Sequence, residues 1–97
     1  MDKQPAVYML SNRPGGVIYT GVTSDLIKRI HQHRTHAVPG FTKRYNATKL
    51  VWYELCLDIG CAIEREKQIK NWQRAWKIKQ IEVTNPLWHD LYDSIVG

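Results

Sequence analysis

Two short apolar runs on either side of a Pro-Gly-Gly sequence constrain the fold of this chain most strongly. Residues 6–10 (AVYML) and 17–21 (VIYTG) resemble strands, and residues 11–16 (SNRPGG) have the composition of a loop. The pattern therefore predicts a β-hairpin. If the loop is centred on residues 13 and 14, Tyr8 pairs with Tyr19, and both phenols lie on the same side of the sheet.

The segment after the hairpin predicts a helix over residues 25–34. Thr23, Ser24 and Asp25 offer oxygens that can cap its first turn. At 100° per residue, three side chains form its apolar stripe, namely Leu26, Ile27 and Ile30. Arg29 and His33 lie one turn apart along an edge of that stripe, so we expect both to be neither fully buried nor freely solvated.

The rest of the chain predicts one more strand and further helices. Residues 35–48 contain Pro-Gly and predict a basic loop, and residues 49–55 (KLVWYEL) predict a third strand. Residues 61–83 predict a helix in two pieces, and residues 87–95 a last short helix. The fold class expected from this order is α+β, with a small, mostly antiparallel three-stranded sheet flanked by helices.

Charge along the chain is unevenly distributed. The formal net charge is +5, and no acid occurs between Leu26 and Tyr53. A stretch of one sign with interleaved aromatic residues is the pattern that binding to a phosphate backbone uses. We therefore predict a nucleic-acid partner. The residues expected to contact it are Lys28, Arg34, Lys43, Arg44 and Lys49.

Other features place the chain among ordinary globular proteins. It has no apolar run near the roughly 20 residues that a membrane span needs, and residues 1–5 lack the apolar core of a signal peptide. We expect a cytoplasmic protein. Cys56 and Cys61 are then expected to be small buried hydrophobic residues rather than a disulfide or a zinc site.

Glu66 does not fit the face of the helix on which it lies. Ala62, Ile63, Ile69, Trp72 and Trp76 mark the side expected to be buried. Glu66 falls within that arc, whereas Glu64 points almost opposite. Burying an unpaired carboxylate costs several kcal/mol, so Glu66 needs a partner. A metal ion is one candidate, and an ion pair with Lys70, one turn further on, is the structural alternative.

The residues singled out so far resemble the motifs of the GIY-YIG nuclease superfamily, most closely its small standalone bacterial members. The motifs occur in the family's order as Val7-Tyr8-Met9, Tyr19-Thr20-Gly21, Arg29 with His33 four residues later, and Ala62-Ile63-Glu64-Arg65-Glu66. The resemblance covers about residues 5–80 of a single domain spanning 1–97, and leaves 81–97 as a C-terminal helical extension.

The resemblance implies an endonuclease that depends on a divalent metal and hydrolyses phosphodiester bonds, with DNA as the expected substrate. The residues implied to be catalytic are Tyr8, Tyr19, Arg29, His33 and Glu66. Glu66 would bind Mg²⁺ (or Mn²⁺), which accepts one carboxylate together with waters and phosphate oxygens. A tyrosine with its pKa lowered by Arg29 and the metal, by preference Tyr19, would activate the water, with His33 as a proton relay.

The sequence also departs from the family pattern. The first motif lacks its glycine, and the asparagine that larger members carry after the glutamate has no counterpart, because Asn71 comes too soon. The larger members also bring separate DNA-binding domains. We therefore expect substrate choice to come from the loops of this chain or from a protein partner.

Three other interpretations remain open from the sequence. The chain could be a nucleic-acid-binding module that does not cleave, although every matched catalytic position is present. His31, His33 and His36 could form a metal site, although no carboxylate or thiol is near them in sequence. An adaptor domain could use its tryptophans, but we expect core packing to explain them. These residues are Trp52, Trp72, Trp76 and Trp88.

Overall fold

A computed structural model describes residues 4–96. Residues 1–3 and 97, which belong to the predicted domain of residues 1–97, lie outside the described residues. It contains a three-stranded antiparallel sheet in the order β2-β1-β3 with flanking helices. The elements are β1 (Ala6–Ser11), β2 (Tyr19–Thr23), α1 (Leu26–Arg34), α2 (Phe41–Arg44), β3 (Lys49–Leu55), α3 (Ile59–Lys70), α4 (Arg74–Thr84) and α5 (Tyr92–Val96). The predicted fold class is confirmed.

The hairpin differs from its predicted register by two residues. Tyr8 lies opposite Gly21, and Leu10 lies opposite Tyr19. The connection spans residues 12–18 and is longer than a tight turn. A side chain bridges it, because Asn12 Oδ1 accepts a hydrogen bond from Val17 N at 3.1 Å. A shift of two keeps the alternation of side chains, so Tyr8 and Tyr19 still lie on the same face as predicted.

The two faces of the sheet bury different clusters. Alternate residues of β1 face opposite sides, because successive side chains of a strand alternate. Val7 and Met9 pack with α3 and α4, whereas Tyr8 and Leu10 pack with α1. On the α1 side, Leu26 and Ile30 are buried as predicted, while Ile27 is half-buried.

The predicted burial of five side chains is wrong. His33 is only 1% exposed, because Thr42 of the short helix α2, which was predicted as loop, packs against it. Ile63 is 37% exposed on α3 and Trp76 is 62% exposed on α4. The chain turns between these two helices, so the face of α3 does not continue to Trp76. Trp52 and Trp88 do pack in the core. The thiols are not buried: Cys61 is exposed and Cys56 is half-buried.

None of the helices within residues 4–96 combines the length and the apolar character that crossing a membrane requires.

The C-terminal segment is bound to the sheet through one buried amide. Asn85 is 4% exposed and its Nδ2 donates to the carbonyls of Val51 (3.0 Å) and His89 (2.8 Å), while its Oδ1 accepts from His89 N (3.0 Å). The following residues then reach α1, where Asp90 pairs with Arg34. The extension therefore holds the helix that carries Arg29 and His33.

We expect Asn85→Ala to destabilise the fold, because it leaves buried backbone groups without partners. Each such group costs about 1–3 kcal/mol, so the free energy of unfolding in urea should fall by at least that amount. The matched control is Asn71→Ala, since Asn71 is exposed at the end of α3. Equal stability of both variants would show that the amide does not hold the segment.

Candidate active site

Tyr8 reaches across the neighbouring strand because its partner there is a glycine. A Cβ at Gly21 would lie 2.5 Å from both Cζ and Oη of Tyr8, and 2.9 Å from Cε2 of Tyr19. No side chain can occupy that space without displacing a ring. The glycine therefore allows both phenols to lie over β2, and its role is close approach rather than an unusual backbone angle.

A buried hydrogen-bonded chain joins β1, α1 and α2. The hydroxyl of Tyr8 lies 2.9 Å from His33 Nε2, and His33 Nδ1 lies 2.9 Å from Thr42 Oγ1. Tyr8 and His33 are each 1% exposed, and Thr42 is 2% exposed. Each ring nitrogen of His33 therefore has one fixed partner, and these partners determine which nitrogen carries the proton.

Burial makes both members of the Tyr8–His33 pair neutral. The pKa of His33 is lowered to about 4, first by burial and then by the charge of Arg29. The pKa of Tyr8 is raised, mainly by burial and then by Tyr19, with Arg29 opposing and Glu66 adding to the increase. Arg29 therefore acts on the pKa of Tyr8 in the expected direction, but desolvation exceeds its attraction in the protein chain itself. The combined effect of Arg29 and a metal ion on a tyrosine stays a prediction.

Tyr19 lies beside this pair and continues into an aromatic row. Its ring centroid is 6.3 Å from that of Tyr8 and 5.6 Å from that of His33. On its other side it stacks with Phe41 at 6.1 Å, and Phe41 lies 4.7 Å from Tyr45. Phe41 and Tyr45 are about two-fifths exposed, at 41% and 42%. The row leads from the buried phenol to solvent.

Arg29 is half-buried, as predicted, and makes no ion pair with any carboxylate in residues 4–96. Its charge nevertheless acts on both Tyr8 and His33, and it lines a cavity of about 150 Å³ together with Lys28 and Asp25. The carboxylate of Asp25 caps α1 by accepting from Lys28 N and makes no ion pair with Arg29. A half-buried guanidinium that is not paired with a described carboxylate can bind an anion that enters from solvent.

Glu66 and Glu64 have the different environments that the helical pattern predicts. The side chain of Glu66 is 14% exposed and forms an ion pair with Lys70, with 3.4 Å between Oε1 and Nζ. Glu64 is exposed. Glu66 lies on α3, which contacts the edge strand β2, and its charge acts on Tyr8. The structural alternative of a Lys70 partner is therefore realised, and Glu66 also belongs to the site.

The three histidines do not form a metal site. His33 is occupied by Tyr8 and Thr42, His36 Nε2 lies 2.9 Å from Asn46 Oδ1, and His31 is exposed. Within the part of the chain that the structure describes, no group of three or more His, Cys, Asp or Glu side chains could hold a metal ion.

The five cations predicted to contact nucleic acid differ in whether they form an ion pair within residues 4–96. Lys28, Lys43, Arg44 and Lys49 are exposed and form none with a described residue, although Arg44 lies 5.5 Å over the ring of Tyr45. Arg34 is instead paired with Asp90, and its guanidinium lies 4.6 Å from the centroid of the Tyr92 ring. Its charge is partly neutralised, so four of the five predicted cations remain available on the surface.

Sequence reasoning missed Thr42, which completes the buried chain. It lies in the segment predicted as loop, and a single threonine among basic residues gives no periodic signal. Gly40, with φ of 104°, begins the turn of helix that brings Thr42 to His33. The one sequence feature that indicates a helical turn here is the Pro39-Gly40 pair, since Gly40 caps the start of α2.

We expect Thr42 to fix the tautomer of His33. A phenol is the stronger hydrogen-bond donor, so Tyr8 should donate to Nε2 while Nδ1–H donates to Thr42. Thr42→Val keeps the shape but leaves Nδ1–H without an acceptor, at a cost of about 1–3 kcal/mol, and the proton should move to Nε2. Nitrogen-15 NMR of the imidazole reports the tautomer directly, and Thr42→Ser is the control that should retain it. A Nε2–H tautomer in the wild-type protein would contradict this assignment.

Comparison with known proteins agrees with the geometry. The profile of the GIY-YIG catalytic domain matches residues 4–79. A UPF0213 protein of Staphylococcus saprophyticus is 33% identical over 81 residues, covering 84% of this chain and 96% of the relative. UPF0213 proteins of Staphylococcus epidermidis and Oceanobacillus iheyensis are 32% and 30% identical over 82 residues, covering 84% of this chain and 98% and 94% of the relatives. No solved structure gives a significant match.

The profile match covers most of the chain and includes every residue of the site described above. Domains of this family are generally endonucleases, their substrate is nucleic acid, and they typically use divalent metal ions. By its sequence match and its fold, this chain belongs to the GIY-YIG catalytic domain family.

Proposed function

We propose that this protein is a divalent-metal-dependent endonuclease that hydrolyses phosphodiester bonds in DNA. The observation that carries the proposal is the half-buried guanidinium of Arg29, which pairs with no carboxylate in residues 4–96 and whose charge acts on both Tyr8 and His33. The charge of Glu66 acts on the same phenol, Tyr8. A structural arginine in this position would be expected to pair with an acid. An unpaired one is suited to an incoming phosphate.

Arg29 would bind the scissile phosphate. Its planar fork can donate to two phosphate oxygens at once, and this contact strengthens as negative charge develops on the phosphorus oxygens in the transition state. Because the guanidinium is partly removed from water, its interaction with that charge is stronger than at an exposed site. The exposed cations Lys28, Lys43, Arg44 and Lys49 would hold the flanking backbone of the strand.

Glu66 would hold the metal ion, for which Mg²⁺ or Mn²⁺ is the suitable class. A single carboxylate fits such an ion if waters and phosphate oxygens supply the other ligands, and the lack of a larger donor cluster in residues 4–96 agrees with that. When bound, the ion supplies Lewis acidity to the leaving 3′ oxygen. Weak metal affinity without substrate follows from the single protein ligand.

Tyr8 and His33 would move the proton of the attacking water without a tyrosinate intermediate. The raised pKa of Tyr8 disfavours the free anion. The hydroxyl can instead accept a proton from water while passing its own to His33 Nε2, 2.9 Å away. Because burial disfavours the imidazolium, the transfer would be concerted with attack of the hydroxide on phosphorus, where the negative charge that develops on the phosphate oxygens offsets the positive charge of the ring. Tyr19 borders the same space and would orient the water, so the two phenols have different parts.

The first test is cleavage of a panel of duplex, branched and single-stranded DNA and of RNA, with Mg²⁺, Mn²⁺ or a chelator. We expect metal-dependent cleavage of DNA by the wild-type protein. Glu66→Gln should abolish cleavage and preserve binding, because it removes a negative ligand at nearly constant size. Glu64→Gln, two residues away and exposed, is the matched control and should be nearly neutral. Binding without cleavage in every condition would favour the non-catalytic module.

Arg29→Lys separates a phosphate contact from a general need for charge. Lysine keeps the charge and loses the two-point contact, so we expect a loss of about 2–4 kcal/mol of transition-state stabilisation. That is a fall of roughly 30- to 900-fold in the single-turnover rate, with little change in melting temperature. Normal cleavage by the lysine variant would return Arg29 to a structural role.

A further inference from the structure

We propose that a cleft along the outer edge of β2 is a second phosphate site, which holds a backbone phosphate of the nucleic-acid strand next to the reacting centre. The inference rests on the proposed function and deepens it. The cleft has a volume of about 180 Å³ and is lined by Ile18, Tyr19, Thr20, Phe41, Lys70 and Lys77.

Two lysines from different helices converge on this cleft. Lys70 comes from the end of α3 and Lys77 from α4, and the only carboxylate paired with either one in residues 4–96 is Glu66, 3.4 Å from Lys70. Lys77 is half-buried and makes no ion pair with a described residue. Two like charges facing one space repel each other, and an anion between them removes that repulsion.

The β2 side of the cleft has backbone groups without a neighbouring strand, because β2 is the edge strand of the sheet. Thr20 of this strand lines the cleft, although its hydroxyl oxygen is itself buried and has no hydrogen-bond partner among the described residues. Backbone donors of an edge strand together with two ammonium groups favour an oxyanion over an apolar ligand.

The position of the cleft indicates a nucleic-acid phosphate rather than an isolated anion. Tyr19 belongs both to this cleft and to the candidate active site, so the two spaces adjoin. Phe41, which stacks on Tyr19 at 6.1 Å, gives the cleft an apolar wall against which a sugar or base can pack. A strand bound by Arg29 would therefore extend along β2 towards Lys77, on the side away from Lys28.

The contact can be measured without any cleavage. Affinity for a short mixed-sequence DNA duplex and for its single strand is determined in chelator between about 50 and 200 mM salt. Lys77→Gln should reduce the slope of log affinity against log salt by about 1 and weaken binding alike for all sequences. Lys77→Arg should restore the slope. Lys79→Gln is the matched control, because Lys79 lies on the same helix but lines a different groove, with Trp72 and Trp76.

An unchanged slope for Lys77→Gln, an equal loss for Lys79→Gln, or no DNA binding by the wild-type protein would each overturn the second phosphate site. If Lys77→Gln does not fold, Lys77→Met, which keeps the aliphatic stem, is measured in its place. The two proposals fail separately. Wild-type protein that binds with the predicted slopes yet never cleaves refutes only the endonuclease, whereas active protein with an unchanged Lys77→Gln slope refutes only this site.

Discussion

The hydrogen bond between Tyr8 and His33 is the constraint on which the rest of the site depends. It joins the central strand to α1 at 2.9 Å within the core, where neither group can turn to water. Leaving either group without its partner costs about 1–3 kcal/mol. The bond therefore requires Gly21 beneath the ring and Thr42 behind the imidazole. The strands β1 and β2 and the helices α1 and α2 each supply one residue that the bond needs.

This arrangement separates neutral from charged groups. The interior of the site is a chain of uncharged hydrogen-bonding groups, because burial disfavours both tyrosinate and imidazolium. The full charges of Arg29 and Glu66 lie at its margin, where water and a substrate can reach them. In the proposed reaction, a neutral interior would transfer protons in concert with attack, while the charged margin would bind the phosphate and the cation. The same fold therefore keeps a polar site stable and leaves its charges available.

Much of this arrangement was predictable, and the reasons for the misses are physical. Strand and helix periodicity determined the order of the elements, and the period of two kept Tyr8 and Tyr19 on one face although the register was wrong by two residues. Helical geometry distinguished Glu66 from Glu64. Thr42 was not predictable, because its contact with His33 depends on a tertiary approach across a turn that carries no apolar pattern. Burial of His33 was underestimated for the same reason.

The ion pair between Glu66 and Lys70 is compatible with the proposed role of Glu66 in metal binding. A carboxylate that is 14% exposed needs a positive partner in the absence of metal. Lys70 supplies one from a side chain that is itself 51% exposed, at 3.4 Å. Pairs with an exposed member contribute only about 0–1 kcal/mol. We therefore expect the pair to hold Glu66 in position in the absence of metal and to be weak enough for a divalent cation to replace. Lys70 would then be available to an anion in the cleft beside β2.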